Sequence, residues 1–129
     1  MNDPNKSYEL SFDERPDYLY ALIKSETIDR ERAIQYLSEV AARCKELEVT
    51  SLLLERDIPV MLPDADLFFT TQDFVKMSAG VRIAFVNTHI TNDEAMKFAI
   101  MIGTNRGARF DVFNTVEAAE RWLLNVVGS

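Results

Sequence analysis

Cysteine is almost absent from the 129-residue sequence, which contains only Cys44. A single thiol excludes a disulfide within the chain and any metal site built from several cysteines. This usage is typical of a protein kept in a reducing compartment. The first residues, Met-Asn-Asp-Pro-Asn-Lys, also lack the apolar core of a signal peptide. We therefore expect a cytoplasmic protein.

Basic residues and long apolar runs are also scarce. Lys and Arg number 14 against 21 Asp and Glu, which gives a net charge of −7 with the single histidine neutral. Nucleic acids and anionic lipid surfaces attract positive charge, so this balance argues against binding to either. No apolar run approaches the roughly 18 residues that cross a bilayer. We expect no nucleic-acid partner and no membrane insertion.

Glycine and proline number four each, and no linker-like, low-complexity or repeated segment interrupts the chain. Hydrophobic residues make up 47% of the sequence and charged residues 27%, which is the profile of a packed globular domain. We predict one domain over residues 7–127, preceded by a polar, disordered segment at residues 1–6.

The first half of the chain changes from strand to helix periodicity. Alternating apolar residues predict strands at residues 7–12 and 18–24, which a short polar turn joins into an antiparallel hairpin. Apolar residues then recur at helical spacing up to Leu47, in a helix that Thr27 or Asp29 can cap. After it, residues 50–54 predict a buried parallel strand and residues 55–66, with two prolines, a loop.

The second half alternates helices with strands. We predict a helix from Thr70 or Thr71 through Met77, then strands at residues 81–86 and 109–113. Two further helices begin at cap-plus-acid pairs, Thr91 with Glu94 and Asn114 with Glu117. The order β-β-α-β-α-β-α-β-α predicts an α/β domain with a five-stranded, mostly parallel mixed sheet flanked by helices.

No complete catalytic motif occurs in the sequence. The segment from Gly103 to Gly107 lacks the Lys-Ser/Thr ending of a phosphate-binding loop and lies at a helix end. Gly107 is better explained as a left-handed helix cap and Gly103 as a point of close packing. There is no nucleophile elbow, and His89 is the only imidazole. We expect no enzymatic activity, no cofactor and no metal.

An acidic group follows the third strand. Its members are Glu55, Asp57, Asp64 and Asp66. Parallel α/β folds place their sites at the carboxyl ends of strands, where such carboxylates can hold a divalent cation. A metal-dependent hydrolase using Asp57, Asp64 and His89 is one hypothesis. A solvated acidic rim beside a contact surface is the other.

The same part of the chain is dense in large apolar residues. The candidate interaction or ligand surface consists of Ile58, Val60, Met61, Leu67, Phe68, Phe69, Phe74 and Met77. One helix face buries part of this set, and the rest is left for core, pocket or interface.

The last third of the chain carries a family resemblance. The apolar strand at residues 81–86 is followed by Phe110-Asp-Val-Phe113 and by Thr115-Val-Glu-Ala-Ala-Glu-Arg-Trp-Leu123. With the element order, these segments resemble the STAS-like domains, the fold of anti-sigma-factor antagonists, and in particular small stand-alone bacterial members.

The resemblance implies a non-enzymatic regulatory module that acts through protein–protein contact. In antagonist members a serine at the start of the second helix is phosphorylated. This chain has Glu55-Arg-Asp-Ile-Pro-Val there instead, so the phospho-switch is not carried over, and Thr70 and Thr71 are the remaining candidates. The protein partner is unknown, and self-association is one expectation. The alternative is a pocket for a small apolar, lipid-like ligand beneath residues 58–77.

Overall fold

The computed structural model describes residues 8–124, so the expected disordered segment 1–6 and the expected domain end at residue 127 lie outside the described residues. Within this range, one five-stranded sheet has the order β1-β2-β3-β4-β5. β1 is antiparallel to β2, and the other neighbouring pairs are parallel. The strands are β1 (Glu9–Glu14), β2 (Leu19–Lys24), β3 (Ser51–Asp57), β4 (Arg82–Asn87) and β5 (Phe110–Phe113). The predicted mixed sheet is confirmed.

The helices lie on the two faces of this sheet. In the described range they are α1 (Arg30–Glu46), α2 (Asp64–Met77), α3 (Asp93–Asn105) and α4 (Val116–Leu124), with a short 3-10 helix at Ile90–Asn92. Successive parallel strands advance in one direction across the sheet, so right-handed crossovers bring their helices to the same side. Accordingly α1 packs on α2 and α2 on α3, whereas α4 packs against β3, β4 and β5 from the other side.

Each face of the sheet has its own core. The larger one lies between the sheet and α1–α3, and the smaller one lies under α4. Leu52, Leu53 and Leu54 of the central strand β3 are all 0% exposed. Successive side chains of a strand point to opposite faces, and both faces are covered here. This explains why β3 begins as an uninterrupted apolar run.

The connection from β3 to α2 differs from the prediction. The expected loop at residues 55–66 is wrong at both ends, since β3 continues through Asp57 and α2 begins at Asp64. Glu55 to Asp57 pair with β2, which recruits polar residues into the ladder regardless of their own strand preference. Pro63 precedes the helix, where proline is tolerated, and acids in the first turn complement the helix dipole. Thr70 and Thr71 therefore lie inside α2, not at its start.

The start of α3 is also different from the prediction. The expected Thr91–Glu94 capping box is wrong, because Ile90–Asn92 forms a 3-10 helix and Asn92 occupies the cap position of α3. No side-chain cap hydrogen bond forms there among the described residues. Asn92 is buried, and its amide nitrogen instead donates to the backbone oxygen of Ile58 at 3.1 Å. A contact from another element has replaced the local one.

At the other two capped helices, the structure decides the open choice for α1 and corrects the expected cap of α4. Asp29, not Thr27, caps α1: its carboxylate accepts from the backbone nitrogen of Arg32 at 2.8 Å. At α4 the hydroxyl of Thr115 accepts from the backbone nitrogen of Ala118 at 3.2 Å. The expected cap at Asn114 is therefore displaced by one residue.

None of the helices between Tyr8 and Leu124 has the length and apolar character of a membrane span.

Candidate functional site

The acidic group does not form one rim. Glu55 and Asp57 point from β3 to the α4 side of the sheet, where a Glu55 carboxylate oxygen accepts from the Tyr20 hydroxyl at 2.5 Å. Burial, followed by this hydrogen bond, raises the pKa of Tyr20 to about 12. Asp64 and Asp66 lie in the first turn of α2, in the helix layer on the opposite face. The fold thus divides the expected acidic rim into two pairs.

Two of the three residues in the hydrolase hypothesis do meet. The Nε2 atom of His89 lies 2.8 Å from a carboxylate oxygen of Asp57, on side chains that are 30% and 42% exposed. Asp64 belongs to the first turn of α2. In residues 8–124, no group of three or more His, Cys, Asp or Glu side chains is placed to hold a metal ion. The pair joins the ends of β3 and β4.

A polar network that sequence reasoning missed lies beside this pair. The amide nitrogen of Asn87, which is 0% exposed, donates to the backbone oxygen of His89 at 3.0 Å and to Asp93 at 2.8 Å. Asn114 donates to the backbone oxygen of Asn87 at 3.1 Å and to the same Asp93 oxygen at 3.2 Å. The network ties the ends of β4 and β5 to α3. Its signal in the sequence was an asparagine at each strand end.

The candidate surface at residues 58–77 is divided by the fold. Ile58, Leu67 and Phe74 are core residues, Met61, Phe68 and Met77 are half-buried, and Val60 and Phe69 are 42% and 46% exposed. Helix α2 is the middle helix of its layer, so one side of it is buried by the sheet and by both neighbouring helices. Only its outer side is available to a partner.

That outer side carries an aromatic pair held between two arginines. Phe68 and Phe69 contact edge to face, with ring centroids 5.3 Å apart. The guanidinium of Arg30, at the start of α1, lies 5.4 Å from the ring of Phe69. The guanidinium of Arg106, just after α3, lies 5.0 Å from the ring of Phe68. We call these four residues the Phe68–Phe69 patch. Aromatic and arginine side chains are the types that dominate binding energy at protein interfaces.

The inner side of α2 borders a cavity of about 60 Å³. Most of its lining is apolar, with contributions from α1, α2, α3 and the sheet. Three lining residues are polar and buried: Arg56, Thr70 and Thr71, at 5%, 3% and 8% exposure. At these exposures a kinase could not reach either threonine hydroxyl in the folded protein. The structure therefore offers no support for their phosphorylation.

Arg56 is a buried charged residue beside this cavity that sequence reasoning overlooked. Its guanidinium donates to the backbone oxygens of Ile58 at 2.9 Å and Val60 at 2.6 Å. Burial lowers its pKa, because desolvation disfavours the charged form. The signal was its register: Arg56 alternates with Leu52 and Leu54, on the face of β3 that turns to the larger core.

Comparison with known proteins gives a result at the level of the fold. No family model matches the chain, and no curated protein matches it. Among solved structures, it is similar to an anti-sigma factor antagonist from Mycobacterium paratuberculosis. The TM-score is 0.65 at 10% sequence identity, and the match covers 96% of this chain and 99% of the other.

The chain has the STAS-like fold. The resemblance seen in the last third of the sequence is thereby confirmed for the architecture of the chain. In this fold the Phe68–Phe69 patch lies on the outer side of α2, the middle helix, and the cavity lined by Arg56 lies on the inner side of the same helix.

Proposed function

We propose that the protein is a non-enzymatic regulatory module, located in the cytoplasm, that acts by binding another protein through the Phe68–Phe69 patch. The observation that carries this proposal is the exposure of Phe69, 46% for a large aromatic residue, on the outer side of α2. The two stacked arginines extend the patch without burying it.

The fold supports the same conclusion by analogy. The solved structure that this chain resembles is that of an anti-sigma factor antagonist. The polar side chains at the carboxyl edge of the sheet are engaged with one another, as in the Asp57–His89 pair and the Asn87 network. In these contacts they tie the strand ends together.

The simplest form of the contact is a symmetric pairing of two copies through the patch. A two-fold interface uses the same surface on both subunits, so Phe69 of each copy would contact α2 of the other. Sedimentation velocity from roughly 10 to 100 µM covers the affinities expected of weak interfaces. We expect the wild-type protein to dimerise in this range and the Phe69→Ser variant to remain a monomer.

A matched control is Met101→Ser. Met101 is 52% exposed on α3, outside the patch, so its replacement should leave the dimer intact. A wild-type protein that is monomeric throughout would exclude self-association, while a dimer that survives Phe69→Ser would exclude this surface as its site.

A different protein partner is tested by photo-crosslinking in cells. A photoreactive phenylalanine analogue at position 69 should capture a discrete partner that the same analogue at position 101 does not. Identical products from both positions, or none from either, would contradict the proposed interaction role.

Small-molecule sensing is the second candidate, because a cavity does lie beneath residues 58–77. A lipid-like ligand needs a few hundred cubic ångströms, whereas this cavity measures about 60 Å³. The geometry therefore favours a much smaller ligand than the lipid-like one expected from the sequence.

A further inference from the structure

The cavity beneath α2 contains a charge without an ionic partner. Arg56 is 5% exposed, and among the described residues no carboxylate lies within ion-pair distance of it. Its contacts are the backbone oxygens of Ile58 and Val60 and the hydroxyl of the buried Tyr36. All of these are neutral. Buried charges are normally paired, because an isolated ion loses its hydration without compensation.

The cavity is also lined by a residue whose buried hydroxyl group has no hydrogen-bond partner among the described residues. Thr70 is 3% exposed, and its Oγ1 atom has no hydrogen-bond partner in the described part of the chain. Buried hydroxyl groups nearly always have a partner. Both Arg56 and Thr70 line the same cavity, so a cation and a free hydroxyl border one space.

Apart from Thr71 and the hydroxyl of Tyr36, the rest of the lining is apolar. It includes Ala33, Leu37, Leu67, Phe74, Met96 and Ala99. A ligand that complements this space needs an anionic group for the guanidinium and the hydroxyl, and a hydrocarbon part for the remaining wall. A carboxylate accepts hydrogen bonds from both polar groups in a planar geometry that suits arginine.

We propose that this cavity binds a monocarboxylate with a short aliphatic chain, its carboxylate against Arg56 and Thr70 and its chain among the apolar residues of α2 and α3. This site is separate from the patch on the outer side of the same helix, and the proposal does not depend on protein binding there.

The volume limits the chain length. The cavity of about 60 Å³ is well below the ~150 Å³ that admits benzene. A carboxylate of about two or three carbons, which has fewer heavy atoms than benzene, fits this limit. Longer chains would have to leave the cavity past half-buried residues of its lining, which are Ile28, Met61, Phe85 and Ile100.

The first test uses the wild-type protein and sodium propionate. A ligand that binds the native state stabilises it according to its concentration relative to Kd. We expect propionate to raise the melting temperature relative to equal sodium chloride, with amide NMR shifts concentrated on residues that line the cavity. Propionamide, which has the same shape without charge, should produce neither effect, and octanoate should bind far more weakly.

Variants then test the two polar groups. Arg56→Met should abolish binding, and Thr70→Val should weaken it about tenfold or more through the loss of one hydrogen bond to a charged group. Arg109→Gln removes an exposed arginine outside the lining and should have no effect. Arg56→Met also removes the donor to the backbone oxygens of Ile58 and Val60 and can unfold the loop that contains them. Thr70→Val therefore tests the site independently of this variant.

Three results would overturn the proposal: no saturable effect of propionate on the wild-type protein, equal effects of propionate and propionamide, or unchanged affinity in Thr70→Val. The Phe69→Ser variant separates this site from the proposed protein contact. It should bind propionate normally, so the loss of either function leaves the other measurable.

Discussion

Gly103→Ala is the substitution whose outcome follows most directly from the packing. Gly103 lies on α3 against β5, and a Cβ atom placed there would be 2.5 Å from Cδ2 and 3.0 Å from Cε2 of Phe110. The ring of Phe110 cannot easily retreat. It is 6% exposed, with the ring of Phe74 stacked at 5.8 Å and that of Phe85 edge-on at 5.4 Å.

Two opposing effects set the magnitude. Alanine is favoured over glycine inside a helix by about 1 kcal/mol. Overpacking a well-filled core costs about 1–3 kcal/mol, and a 2.5 Å contact with an enclosed ring belongs at the upper end of that range. We therefore expect Gly103→Ala to lower the free energy of unfolding by about 1–2 kcal/mol.

Urea unfolding followed by circular dichroism measures this difference in a double-mutant cycle. Phe110→Leu shortens the obstructing side chain, so Gly103→Ala should cost much less in that background, with a coupling of about 1 kcal/mol or more. Thr104→Ala, at an exposed position of the same helix, reports the helix preference alone and should be neutral or stabilising. A Gly103→Ala protein as stable as the wild type, or additive single effects, would refute the close-packing interpretation.

Two further predictions concern the thiol and a helix cap. Burial raises the pKa of Cys44 from 9.0 to about 11, so the folded thiol stays neutral at a pH where the unfolded one ionises. Its contribution to stability is complete below about pH 9 and is lost as pH rises to about 11. Urea midpoints should therefore fall more steeply over this interval for the wild type than for Cys44→Ala, and parallel curves would contradict the assignment. Asp29→Ala removes the cap of α1 and should cost about 1 kcal/mol in thermal or urea unfolding. Asp17→Ala, at an exposed turn residue, is the matched control, and equal losses in both variants would argue against the cap.

Much of the architecture was predictable because its signals are local or periodic. The apolar run of β3, the alternation in β2 and the helical stripe of α1 each depend on neighbours within one element. Gly107 was expected to be a left-handed cap and has a φ of +85°. Gly103 was expected to be a point of close packing, and the ring of Phe110, 2.5 Å from where a Cβ atom would lie, confirms this.

Boundaries and caps were less predictable because elements compete for the same residues. Strand pairing extended β3 over polar residues, and the two prolines that suggested a continuous loop in fact precede a helix that begins at Asp64. Asn92 could have capped a helix by sequence rules, but its side chain binds a backbone oxygen 34 residues away. Local preferences of this kind are worth about 1 kcal/mol, which a single tertiary hydrogen bond can offset.

The candidate site was likewise predictable only in part. Sequence reasoning selected residues 55–77 as the candidate segment but treated its carboxylates as one group and its apolar residues as one surface. Which residues face outward on α2, and which face the cavity, depends on the packing of α1 and α3 on either side of it. Phe69 and Thr70 are adjacent in the chain, yet one is 46% and the other 3% exposed.

By itself, the sequence determined the order of strands and helices, the absence of disulfide and multi-cysteine chemistry, and the acidic balance, since these depend on composition and on periodicity within each element. Only the tertiary structure decided that Asp57 meets His89 where two strands end. It also decided that Arg56 of β3 and Thr70 of α2 border one cavity, while Phe68 and Phe69 of α2 lie outside it. The physical reason is that side chains from separate elements share a site only when packing brings their backbones together. A local sequence pattern does not predict the distance between two such elements.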